Sequence, residues 1–176
     1  GEFEALKESV NASVDSVDFT MQQLNRVGLA ISNGDFSVRM DSQVKGQIRT
    51  TINDAMNAMS SVVSDINHVL DEMAKGQFDG NVTTHAKGEM QVLVEHVNSS
   101  IKQTSLALED IARVISALSD GDLTQSVTTV YPGQFAEVSS GLNTSMQNLS
   151  KLISDTSMGV HNLVNNVNQI YQGSQD

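Results

Sequence analysis

The chain has 176 residues, no cysteine, no tryptophan, one proline and a formal charge of −11. Without cysteine there is no disulfide framework, thiol nucleophile or thiolate metal site, and the acidic balance argues against nucleic acid and against anionic membrane surfaces, both of which attract basic patches. No run approaches the ~18 apolar residues of a membrane span and no signal-peptide pattern is present, so a cytoplasmic segment without direct membrane contact, from a soluble or membrane-anchored parent, is the expected setting.

From Phe3 to Ile31 the apolar residues Phe3, Leu6, Val10, Val14, Val17, Met21, Leu24, Val27 and Ile31 recur in steps of three and four, which predicts a helix with one buried stripe. Asn33-Gly34 ends it, because a left-handed glycine stops a helix. The segment GDFSVRMDSQVKG follows, bounded by Gly34 and Gly46, with apolar plugs at Phe36 and Met40 among polar neighbours. A second helix is predicted from Ile48, Ile52, Ala55, Met59, Val62, Ile66, Val69 and Met73. Lys75-Gly76 closes it, and GQFDGNVTTHAKG runs from Gly76 to Gly88 with plugs at Phe78 and Val82.

The third helix is marked by Met90, Leu93, Val97, Ile101, Thr104, Leu108, Ile111, Val114 and Leu118, and ends at Asp120-Gly121. GDLTQSVTTVYPG then spans Gly121 to Gly133 with plugs at Leu123 and Val127; its Pro132 suits the start of a helix, where a missing N–H costs nothing. The last helix carries Phe135, Val138, Leu142, Met146, Leu149, Ile153, Thr156, Val160, Leu163, Val167 and Ile170.

Three thirteen-residue connectors, each closed by glycine at both ends, make an internal repeat. Units this small cannot bury a core alone, and sustained heptads argue for coiled coil. Thirteen extended residues reach up to about 40 Å, enough to climb back along a helix and permit a parallel neighbour. The expected fold is all-α: stacked parallel four-helix coiled-coil bundles built by a parallel homodimer, with extended connectors. Their core is expected from Leu24, Val27 and Ile31; from Ile48, Ile52, Ala55, Met59, Ile66, Val69 and Met73; from Met90, Leu93, Val97, Ile101, Ile111, Val114 and Leu118; and from Phe135, Val138, Leu142 and Met146. Glycine-to-glycine intervals of 33, 30 and 33 residues (Gly1–Gly34, Gly46–Gly76, Gly88–Gly121) turn a helix by amounts differing by roughly 60°. That predicts alternating packing, with the middle copy unlike its neighbours.

Catalytic chemistry finds no foothold. His68, His85, His96 and His161 form no i,i+4 pair, the acids Asp71-Glu72 and Glu109-Asp110 read as solvated helix faces, and the methionines sit at core spacing. Gly34-Asp35 and Gly121-Asp122 lack the rest of a phosphate loop. No cofactor, metal or enzymatic activity is expected.

A helix, then Gly-Asp/Gln-Phe/Leu opening a plugged connector, then a second glycine beside an acid or amide and a heptad helix, resembles the HAMP domain. Gly34/Phe36/Met40, Gly76/Phe78/Val82 and Gly121/Leu123/Val127 carry the resemblance in three copies, with Gln47, Glu89 and Gln134 following the second glycines. It is closest to the tandem, or poly-HAMP, kind. The resemblance implies a relay at 18–62, 63–104 and 105–153, preceded by the exit helix of a partial copy (1–17) and followed by an output helix (154–176). The tail from Asn148 through Asp176 resembles the helix leading into a chemoreceptor's signalling hairpin. The implied partners are a second copy of the chain and the sensor and output domains of the same polypeptide. A relay within a histidine kinase and a passive coiled-coil spacer are the alternatives.

Overall fold

A computed structural model describes residues 1–174 and, among these, holds four α-helices and no strand: α1 (Glu2–Ser32), α2 (Gln47–Ala74), α3 (Glu89–Ser119) and α4 (Gln134–Gly173). The fold is all-α. The last two residues of the predicted output helix, Gln175 and Asp176, lie outside the described residues.

The first three helices end in the same motif. Asp35 N–H donates to Ala30 O (2.8 Å) and Gly34 N–H to Ile31 O (3.0 Å); Gln77 and Gly76 repeat this on Glu72 and Met73, and Asp122 and Gly121 on Ala117 and Leu118. Such paired bonds satisfy carbonyls the helix leaves orphaned, and they need a left-handed residue. Glycine supplies it, at φ 73, 82 and 78° for Gly34, Gly76 and Gly121. Pro132 lies outside α4, whose N-cap is Gly133; the proline therefore belongs to the connector rather than to the first helical turn.

Each connector climbs back along the helix it has just left. In the middle one Gly80 lies against Val69 and Glu72, Thr83 and Thr84 reach Asp65, and Ala86 packs on the cluster containing Val62. As the connector advances, its contacts retreat along α2, so α3 starts beside earlier turns of α2 and runs parallel to it.

The chain divides into two compact units, Gly1–Ile101 and Lys102–Asp176. The first has two cores. One gathers Val27, Met40, Val44 and Met56; the other gathers Val62, Val69, Val82, Val94 and Ile101. The second unit has one, formed by Ala107, Val114, Val127, Tyr131 and Met146.

Of the predicted core, Val27, Val69, Ile101, Val114 and Met146 are buried; Leu24, Ile52, Met59, Ile66, Met73, Met90, Val97, Ile111, Leu118, Phe135 and Leu142 are half-buried. Ile31, Ile48, Ala55, Leu93 and Val138 are exposed in the single chain. Two helices and a connector can enclose only one side of each helix. Val94 and Ser139 take the inward place next to Leu93 and Val138, and fully buried Met56 takes it next to Ala55.

Candidate functional site: three clamped connectors

A connector without secondary structure must satisfy its backbone polar groups some other way. Here one asparagine of the following helix does so in every copy. Met40 N–H donates to Asn53 Oδ1 at 2.8 Å, and Asn53 Nδ2 returns a longer 3.4 Å bond to Met40 O. Asn98 makes the same pair with Val82 (2.8 and 3.0 Å), and Asn143 with Val127 (2.9 Å each way). The gripped residue is the second plug each time, with Met40, Val82 and Val127 at most 6% exposed. The first plugs Phe36, Phe78 and Leu123 are half-buried.

The preceding helix holds the other side. Asp41 N–H donates to Gln23 Oε1 (3.3 Å). Asp65 Oδ2 accepts from Thr83 N–H, Thr84 N–H and the Thr84 hydroxyl at 2.9–3.0 Å. Asp110 Oδ2 accepts from the Tyr131 hydroxyl at 2.6 Å. One turn further, Arg26 donates to Arg39 O, and Arg113 to Ser126 O at 3.1 Å. In the middle copy this place holds His68, which lies 3.4 Å from Glu72 instead.

These bonds favour the ionised carboxylates. Asp65 is held below its ordinary range first by the Thr84 N–H, then by the Thr84 hydroxyl and Thr83 N–H. Asp110 is lowered chiefly by the Tyr131 and Thr129 hydroxyls, and Tyr131 is raised by the same bond to Asp110. Asp35 and Asp122 are lowered by Ser37 and Thr124, whose hydroxyls and N–H groups they cap at the connector entrances.

The sequence reading missed the asparagines and a third plug, Val44, Ala86 or Tyr131, which closes each connector. Val44 and Tyr131 are buried and Ala86 half-buried. A signal for the asparagines was available. From Asn11, Asn53 and Asn98 the interval to the next exit glycine (Gly34, Gly76, Gly121) is 23 residues each time.

That constancy locates the short interval within its copy. The three residues missing from the 30-residue interval fall between Gly46 and Asn53, 7 apart, where Gly88–Asn98 and Gly133–Asn143 are 10 apart. Beyond the asparagine nothing shifts: Met56, Ile101 and Met146 are buried three residues on, and Val62 and Ala107 nine on. Val27, Val69 and Val114 are buried sixteen on. The deficit falls in the first turns of α2 and leaves the spacing of buried positions beyond Asn53 unchanged.

The clamps are positioning devices. Among the described residues no group of three His, Asp or Glu side chains is placed to hold a metal, and no helix is long and apolar enough to cross a membrane.

Residues 87–151 match the family model described as HAMP domain. This stretch carries a HAMP domain. It comprises α3, the third connector with its Asn143 clamp, and the first half of α4. HAMP domains relay signals within sensor proteins, and that is the function the match carries. No curated protein and no solved structure gave a match.

Proposed function

We propose that the chain is a tandem array of three HAMP repeats that pairs with a second copy in parallel. It passes conformational change from an upstream sensor to a downstream output domain of chemoreceptor type. The observation that carries this reading is the recurrence of one clamp, asparagine on the second plug, in three connectors of which the family match covers only the last. Asn11, Gln23 and Arg26 sit at the same spacing in α1 as Asn98, Asp110 and Arg113 in α3, which supports residues 1–17 as the exit helix of a further copy.

A second copy is the natural cover for what each repeat leaves bare. Ile48, Leu93 and Val138 are 39, 45 and 51% exposed at one shared position, and Leu70 and Ile115 are 47 and 49% exposed at another. Along α4, Ile153, Val160, Leu163, Val167 and Ile170 continue a heptad seam, each at least 55% exposed, as a two-stranded coiled coil would require. Relay follows because a bundle closed by two chains can repack between nearby arrangements when its incoming helices move. A passive spacer would need no clamped return path.

The chain has no native cysteine, so Val138→Cys tests the reading directly. Parallel pairing sets like positions side by side, and oxidation should give a disulfide-linked dimer. Sedimentation should show a dimer at micromolar concentration. A monomer, or cross-linking only between Leu93→Cys and cysteines near the far end of the chain, would refute it.

A further inference from the structure

The middle connector leaves a cavity of ≈ 340 Å³ beside its third plug. It is lined by Ala58, Met59 and Val62 of α2, by His85, Ala86 and Lys87 of the connector, and by Met90 of α3. All these residues belong to the first compact unit. The third copy shows what fills the equivalent place. Forty-five residues on, Tyr131 stands for Ala86 and Phe135 for Met90, and the two rings meet edge to face with centroids 6.5 Å apart. In the middle copy the larger Met59 and Val62 replace Thr104 and Ala107, and they recover only part of the volume that two rings take up.

The size and apolar lining match small-molecule pockets, which run from about 300 to 1,000 Å³ with a few polar groups for orientation. Two features narrow the occupant. Methionine thioethers adapt their shape and make favourable contacts with aromatic rings, and Met59 of α2 and Met90 of α3 both line the cavity. The ionisable lining groups are His85 and Lys87, and among the described residues Lys87 forms no ion pair. In a chain of net charge −11, a cation lining an otherwise apolar cavity selects for an anion.

We propose that this cavity binds a small monocyclic aromatic carboxylate, its ring between Met59 and Met90 and its carboxylate at Lys87. The ligand's ring would lie beside Ala86, where Tyr131 stands in the third copy. Binding needs only the fold around residues 58–90 and does not rest on the relay reading.

The test is titration of the full chain, ¹³C-labelled at its methionine methyls, with benzoate and with uncharged benzamide. Benzoate should shift Met59 and Met90 saturably and leave Met21 and Met146 in place. Benzamide should bind the original chain more weakly, by about twofold to fivefold, the range of a solvent-exposed ion pair; Lys87→Gln should weaken benzoate by the same factor. Ala86→Tyr should abolish the shifts while the protein keeps its helical circular dichroism, with Ala86→Leu as the filling variant should the ring not be accommodated. Unmoved Met59 and Met90 methyls, equal shifts in the filled variants, or equal affinity for benzamide each overturn the proposal. So do contacts from these methyls to a second copy of the chain that benzoate fails to displace.

Discussion

In the first and third connectors an arginine of the preceding helix, Arg26 or Arg113, donates to the carbonyl just ahead of the second plug; in the middle connector His68 stands there and turns to Glu72. The middle copy instead concentrates its grip on Asp65, which accepts three hydrogen bonds where Gln23 accepts one. Only the asparagine pair is common to all three. What the repeat preserves is therefore a way of holding main chain in place, and the flanking side chains are free to trade roles.

The sharpest way to break this comparison is to remove the shared element. Asn98→Ala leaves the N–H and C=O of buried Val82 unpaired, and should cost about 2–4 kcal/mol in denaturant unfolding. Asn143→Ala should cost as much, and Asn53→Ala less, since its return bond is 3.4 Å long. Equal and small losses in all three would deny the asparagines their role.

Next in size is Asp65. A carboxyl lowered in the folded chain adds stability that is complete above its unfolded pKa and is lost as pH falls through the folded value. The ordinary value is 3.8 and Asp65 lies below it, so the loss falls in the strongly acid range. Melting curves should show Asp65→Asn less stable at neutral pH and less sensitive to acid than the parent. Parallel acid limbs would show that Asp65 carries no such load.

Exchanging the third element should have smaller, opposite effects. His68→Arg supplies a donor for the Asn81 carbonyl and should stabilise, whereas Arg113→Met removes the bonds to Ser126 O, Gln125 Oε1 and Asp110 Oδ1 and should destabilise, each by about 1 kcal/mol. The smallest effect concerns Ser139, buried with its hydroxyl unpaired where the middle copy has Val94. Ser139→Val should raise stability by about 0.5–1 kcal/mol; a fall in the melting temperature would mean that the hydroxyl has a partner in solution.

Much of this was legible in the sequence because glycine and heptad spacing report backbone requirements directly. Gly34, Gly76 and Gly121 stop helices because their left-handed turns demand it. The clamp was less legible. Aligning copies on their second glycines places Asn53 out of line with Asn98 and Asn143, since α2 lacks three residues of its first turn. The third plug was hidden for another reason: valine, alanine and tyrosine share no residue type, and the cavity beside Ala86 shows how loosely that position is filled. Reading Ala55 as core missed adjacent Met56, because a step of three and a step of four from Ile52 both satisfy helical periodicity. Ile48, Leu93 and Val138 were correctly seen as apolar, but one chain cannot say what surface they meet.

Gripping main-chain atoms has a consequence for how such segments diversify. An amide that holds a peptide N–H and C=O is indifferent to the side chain between them, which is methionine once and valine twice. Connectors should therefore be interchangeable parts. Transplanting residues 77–87 in place of 122–132 would preserve the path of the chain while altering everything it displays, so selection could remodel the outer surface of one repeat without re-engineering the helices it joins.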